Sequence, residues 1–178
     1  MPSTKASKTK AKSVSPAADA AADSALKELF IGEIKDIYWA ENQLVKALPK
    51  MIEATSSPAL VEAITNHLEE TRGHVARLDE VFGLLNEEPR AKKCDAMEGL
   101  TKEGEGVIEE TLAGSAARDT GIIMASSKVE HYEIAAYTGL IRLANKLGMA
   151  DVAAILEQTL AEEVASDEKL ADIAENEL

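Results

Sequence analysis

Eight side chains in this sequence could together hold metal ions: Glu41, His67, Glu70, His74, Glu130, Glu133, Glu163 and Asp167. They stand out once a helical period of about 100° per residue is imposed on the chain. Glu41 then lies among Ile37, Leu44, Val45 and Leu48. Glu130 and Glu133 fall in the stripe of Val129, Ile134 and Tyr137, and Glu163 and Asp167 continue the row Leu156, Leu160, Val164 and Leu170. Five carboxylates therefore point inward from three helices. Burying an unpartnered carboxylate is costly, and a marginally stable domain cannot absorb that cost five times. Protons, buried bases or bound cations must neutralise them. Lys46, Arg77, Lys128 and Arg142 fall mostly on outer arcs, which leaves cations as the expected answer.

His67, Glu70 and His74 are spaced by three and four residues, so they share one strip of a further helix. Either His67 or His74 can supply the nitrogen ligand. Histidine with carboxylates suits transition metals, iron or manganese ahead of zinc, whereas calcium prefers oxygen alone. Two such ions bridged by carboxylates sit about 3.5–4 Å apart, a spacing suited to two-electron reduction of peroxide or dioxygen. Taken singly, each carboxylate could instead flank a wet groove, and each histidine could be an ordinary hydrogen-bonded one. His131 falls on the outer arc and reads as a surface residue. Glu162 sits at the edge of the arc, beside the ligands, and Tyr38, Trp39, Tyr132 and Tyr137 read as packing.

The elements that must carry these residues follow from the apolar spacing. A first helix begins at Ser24 and runs through Leu26, Leu29, Phe30, Ile34 and Ile37 to Met51 and Ile52. Thr55-Ser56-Ser57-Pro58 stops it and starts a second, with stripe Val61, Ile64, Leu68, Val75, Leu78 and Phe82. Residues 90–119 form a long connection with a short amphipathic helix, interrupted at Gly99, Gly104 and Gly106. A third long helix spans about Thr120 to Leu147, is ended by Gly148, and is followed from Asp151 by the fourth. Two helical hairpins joined by a long crossover containing a short fifth helix describe an all-α, ferritin-like four-helix bundle over 23–178. A shift of 92 residues lays Leu48 on Leu140, Ile64 on Leu156, Leu78 on Leu170, Glu41 on Glu133 and Glu70 on Glu162. The second hairpin thus reads as a repeat of the first.

Composition agrees. The 178 residues are 46% hydrophobic but only 3% aromatic, with few glycines and prolines, a mixture that favours helices over sheets. The single cysteine, Cys94, allows no internal disulfide and suits a reducing compartment. No apolar run is long enough to span a membrane and no secretory signal is evident, so a cytoplasmic protein is expected. Lys5, Lys8, Lys10 and Lys12 lie in a tail, 1–22, expected to be disordered. Without them, 15 basic residues face 32 acidic ones, a net of −17. So acidic a body repels nucleic acid, and any DNA protection would have to work through the tail. No phosphate-binding glycine loop, nucleophile elbow or paired-cysteine zinc pattern occurs.

Several ordered stretches carry a resemblance. Asp36-Ile-Tyr-Trp-Ala-Glu41-Asn-Gln43-Leu, His67-Leu-Glu-Glu70-Thr, Cys94-Asp-Ala-Met-Glu98-Gly-Leu, Val129-Glu-His-Tyr-Glu133-Ile-Ala-Ala-Tyr137 and Thr159-Leu-Ala-Glu-Glu163 resemble the YciF/YciE family of ferritin-like bacterial stress proteins over about residues 24–178. The resemblance implies a rubrerythrin-like bundle, usually a homodimer, with a dinuclear metal site and a role in stress responses. The leading expectation is iron oxidation or peroxide removal at that site, and the alternative is a non-enzymatic structural dimer whose metal site is weak or vestigial. The chain departs from established di-iron relatives in lacking a complete Glu-x-x-His. Glu70 is followed three residues later by Gly73, and Glu163 by Ser166.

Overall fold

The structure, a computed structural model, describes the backbone of residues 16–176 and side chains from residue 23. The described residues form five helices and no strand: α1 (Pro16–Ala54), α2 (Pro58–Leu85), α3 (Asp95–Glu110), α4 (Ala116–Lys146) and α5 (Ala150–Asn176). The fold is ferritin-like, as the apolar stripes predict. α1 pairs with α2 and α4 with α5, the hairpins meet along α1–α4 and α2–α5, and α3 lies across α1 and α4. None of the described helices is long and apolar enough to cross a membrane.

Two boundaries differ from expectation. α1 starts at Pro16, eight residues before Ser24. The segment Ala17–Ala22 is rich in alanine, the strongest helix former, and carries no apolar stripe by which periodicity could find it. The lysines of the expected tail, at positions 5 to 12, lie outside the described residues. In the crossover, α3 runs unbroken through Gly99, Gly104 and Gly106. Gly104 packs closely on α1, where a Cβ would stand 3.0 Å from Met51 Cε. Helix termini follow local chemistry. Ser57 caps α2 by accepting from Leu60 N at 3.3 Å, with Pro58 in the first turn. Gly148, at φ +73°, takes the left-handed turn between α4 and α5.

The core is one continuous cluster. Phe30, Ile34, Ile37 and Leu44 of α1 meet Leu60, Ile64, Leu78 and Phe82 of α2, and Ile122 and Leu140 of α4 meet Leu156, Leu170 and Ile173 of α5. Burying each such side chain contributes about 1.5–3 kcal/mol. Cys94 caps α3, its Sγ accepting from Met97 N at 3.4 Å and lying 3.0 Å from Tyr132 Oη. Tyr132 in turn donates to Asp36 Oδ2 at 3.2 Å. Burial pushes the Cys94 thiol up, and its contacts with Met97 N and Tyr132 Oη pin the start of α3 against α4.

A second pin fixes the hairpins in register. The buried carboxylate of Asp119, in the first turn of α4, accepts from Ser56 N at 2.9 Å, Ser56 Oγ at 2.6 Å and Ser57 N at 3.0 Å. One anion thereby satisfies the turn that opens α2 while sitting at the positive end of α4. Replacing it by alanine removes the shared charged acceptor of Ser56 N, Ser56 Oγ and Ser57 N. Asp119→Ala is expected to lower the unfolding free energy by about 2–3 kcal/mol, read from the midpoint of urea denaturation at unchanged slope.

Candidate metal centre

Half-way along the bundle the apolar packing gives way to charge. Glu41 of α1, His67 and His74 of α2, Glu130 and Glu133 of α4, and Glu163 of α5 are all at most 5% exposed. Helical spacing explains the convergence. His67 and His74 lie two turns apart on α2, and Glu130, Glu133 and Tyr137 follow at steps of three and four on α4. Their ligand atoms fall into two overlapping groups, within each of which all lie within 4.8 Å of one another. One is His67, Glu130, Glu133 and Glu163, and the other is Glu41, His74 and Glu163. Glu163 belongs to both.

The distances are those of a charge network. His67 Nε2 is 3.4 Å from Glu130 Oε1, while His74 Nδ1 is 3.0 Å from Glu163 Oε1 and 3.5 Å from Glu41 Oε2. Nine buried atoms of these six residues, including both Glu133 oxygens, both Glu163 oxygens and both His67 nitrogens, have no hydrogen-bond partner. Natural cores hold very few such atoms, and a bound cation is the partner that would satisfy so many together. The donor set of nitrogen and carboxylate oxygen fits transition-metal ions.

Without a cation the network must hold protons. Burial, reinforced by the charge of Glu163, raises Glu130 to about 8 despite the opposing pull of His67. Burial, followed by the neighbouring charges of Glu163, Glu41 and Glu130, lifts Glu133 well above the ordinary carboxylate range. Burial also raises Glu163. At His74 burial works against charge, but the adjacent carboxylates of Glu163 and Glu41 outweigh it and raise the imidazole to about 11. Burial similarly opposes charge on His67, where Glu70 and Glu130 tip the balance upward.

A layer of polar groups holds the ligands in place. His74 Nε2 meets Glu162 Oε2 at 2.9 Å, and Glu162 is clamped by Arg77 through two bonds of 2.6 Å. Arg77 also donates to Thr159 Oγ1 at 3.2 Å, and its hydrogen bond keeps Glu162 below its usual pKa. With Nε2 so engaged, Nδ1 is the nitrogen presented inward, the arrangement typical of metal-binding histidines. Tyr137, fully buried, donates to Glu41 Oε1, and Ser166 donates to Glu130 Oε1 at 3.0 Å.

Six of the eight residues singled out in the sequence thus come together, both histidines among them. Two stand apart. The Glu70 side chain is 45% exposed, with Oε2 3.8 Å from His67 Nδ1, because Glu70 sits at the edge of the strip that faces inward. Asp167 lies at the α4–α5 seam, where Oδ2 meets exposed His131 Nε2 at 2.8 Å. Thr71, fully buried, occupies the inward position next to Glu70. The 92-residue shift sets Thr71 on Glu163 and His74 on Ser166. Thr71-x-x-His74 and Glu163-x-x-Ser166 are therefore complementary halves of one Glu-x-x-His pattern, one keeping the histidine and the other the glutamate. Sequence reasoning anchored the pattern on Glu70, one residue early. It also read Tyr137 as packing alone and put Arg77 on an outer arc, although the side chain folds back to Glu162.

A ferritin-like helical bundle with a carboxylate–histidine cluster buried in its middle is the class that fold and site define. Comparison with known proteins makes this specific: residues 25–178 match the family described as a domain of unknown function, DUF892, and the chain belongs to it. Protein YciF of Escherichia coli (strain K12) is 45% identical over 152 residues, which span 85% of this chain and 91% of that protein. The crystal structure of the E. coli stress protein YciF superposes with a TM-score of 0.81, covering 85% of this chain and 95% of that one. YcfI of Rhodopseudomonas palustris, a candidate structural protein, is 41% identical, covers 82% and 92% of the two chains and gives a TM-score of 0.79.

The protons of the metal-free centre have a consequence for stability. Glu130, Glu133 and Glu163 bind protons more tightly folded than unfolded, and so does His74. Between the unfolded and folded pKa values the native state holds more protons, so stability is lost as pH rises. The melting temperature of chelator-treated protein is expected to fall from about pH 5 to beyond pH 8, and Glu133→Gln is expected to flatten that slope in a calorimetric pH series.

Proposed function

We propose that the buried cluster holds two transition-metal ions, iron or manganese, and that the protein serves a stress response by oxidising iron or removing peroxide. The observation that carries this reading is the pair of ligand groups joined at Glu163, built from atoms that otherwise lack partners. The stress role is carried over from the name of the E. coli relative. Glu41 and His74 would hold one ion, His67, Glu130 and Glu133 the other, and Glu163 would bridge them. When bound, such a pair of ions supplies two electrons to a peroxide or to dioxygen. The chain's own residues prepare for binding by giving up protons. Glu130 and Glu133 release theirs from carboxyl oxygens, and His74 loses the Nδ1 proton while Glu162, held by Arg77, keeps the Nε2 proton in place. Tyr137 holds Glu41 against its helix, and apolar packing above and below the cluster excludes bulk water.

Elemental analysis of protein purified without chelators is expected to give about two ions per chain. Glu163→Gln should lose both, and Glu41→Gln should lose one. Metal-free protein whose melting temperature ignores added iron and manganese, and which consumes no peroxide with them, would contradict the proposal. That outcome would support a second reading, a non-enzymatic structural homodimer with a vestigial site. The half-filled Glu-x-x-His patterns and the kinship with YcfI favour this alternative.

A further inference from the structure

A cleft of about 350 Å³ opens beside α2 and α5 and ends on His67 and Glu130. Its solvent side is acidic. Glu62, Asn66 and Glu70 are exposed and step along α2 at four-residue intervals, so they line one wall. The single cation among the lining residues, Lys169, points its Nζ to within 3.7 Å of Asp172 Oδ2, along α5. At the inner end His67 stands between two carboxylates. Nδ1 is 3.8 Å from exposed Glu70, Nε2 is 3.4 Å from buried Glu130, and neither nitrogen has a hydrogen-bond partner. The ring itself is only 5% exposed. A second hollow also touches His67 and Glu130, from the α1–α3–α4 side, but it holds only about 30 Å³ and is lined chiefly by apolar groups such as Leu44, Leu48, Met51 and Val129. That hollow is too small for a hydrated cation, and its largely apolar wall would replace little of the ion's water.

We propose that the acidic cleft is the path by which hydrated divalent transition-metal ions reach the buried centre. Glu62, Asn66 and Glu70 replace part of the ion's water shell at the mouth, and His67 hands the ion from Glu70 inward to Glu130. This inference rests on the metal-binding reading above and adds to it a role for Glu70, which geometry leaves outside the centre. Glu70 acts here as a transit ligand that the ion leaves behind. A cleft lined with one sign of charge raises the local concentration of the opposite ion and speeds its capture.

The test uses cobalt(II), whose visible absorption reports coordination by nitrogen and carboxylate, added to the full metal-free chain in a stopped-flow instrument. The double variant Glu62→Gln/Glu70→Gln is expected to load about tenfold more slowly, reaching the same final absorption and the same number of ions. Ala165→Phe, which narrows the rim and leaves every acid in place, should also slow loading without changing the end point. Wild-type rates in both variants, with wild-type protein loading about two ions, would overturn the path and leave the centre standing. A lower final stoichiometry in the double variant would overturn it too, by making Glu62 or Glu70 a resident ligand. If wild-type protein takes up no cobalt, the centre itself fails and the path with it.

Discussion

Four carboxylates and two imidazoles share the middle of this bundle, and their charge has to be balanced where they stand. Most other features of the molecule answer to that requirement. Unpaired, the acids would repel one another in a medium that screens them poorly. Protonated, with a charged His74 between Glu41 and Glu163, they form a network that tolerates burial but leaves many oxygens without partners. Exchange of those protons for metal ions would keep the same side chains in the same places. The surrounding groups support either state: Arg77 and Glu162 behind His74, Tyr137 behind Glu41 and Ser166 behind Glu130.

The centre is also lopsided in a way the fold is not. The two hairpins repeat one another, and Glu41 and Glu133 occupy matching positions. At the next matching pair the repeat breaks, with Thr71 opposite Glu163 and His74 opposite Ser166. Thr71 spends its hydroxyl on the carbonyl of His67 at 2.7 Å, so it offers no ligand to the interior. The missing nitrogen on α5 is made good by His67, one turn earlier on α2, together with Glu130. The centre is thus built from unequal contributions, four carboxylates and two imidazoles.

Much of this was legible in the sequence, and the gaps have physical causes. Apolar stripes located all five helices because packing requires them. They missed the first turns of α1, where a run of alanines carries no apolar stripe for periodicity to find. Burial of Glu41, Glu130, Glu133 and Glu163 could be read from the same wheel, since a charge inside an apolar arc is conspicuous. Asp167 deceived the wheel because the seam between α4 and α5 lets a side chain on the arc swing out to His131. Glu70 was preferred to Thr71 because acids attract attention and threonines do not, although the internal repeat pointed to Thr71. Contacts such as Arg77 to Glu162 depend on how a long side chain bends between helices, which helical periodicity does not encode.

The division of the ligands between the hairpins bears on how the molecule holds together. α1 and α2 bring both imidazoles and one acid, while α4 and α5 bring three acids and no base among the ligands. Had the halves been interchangeable, each could persist alone or trade places with its counterpart in a second chain. Here the three acids of the α4–α5 half stand against the imidazoles of the α1–α2 half, His67 beside Glu130 and His74 beside Glu163. Both hairpins are therefore expected to unfold together, although each resembles the other. The two hairpins, alike in their sequence pattern, thus depend on each other at the centre they share.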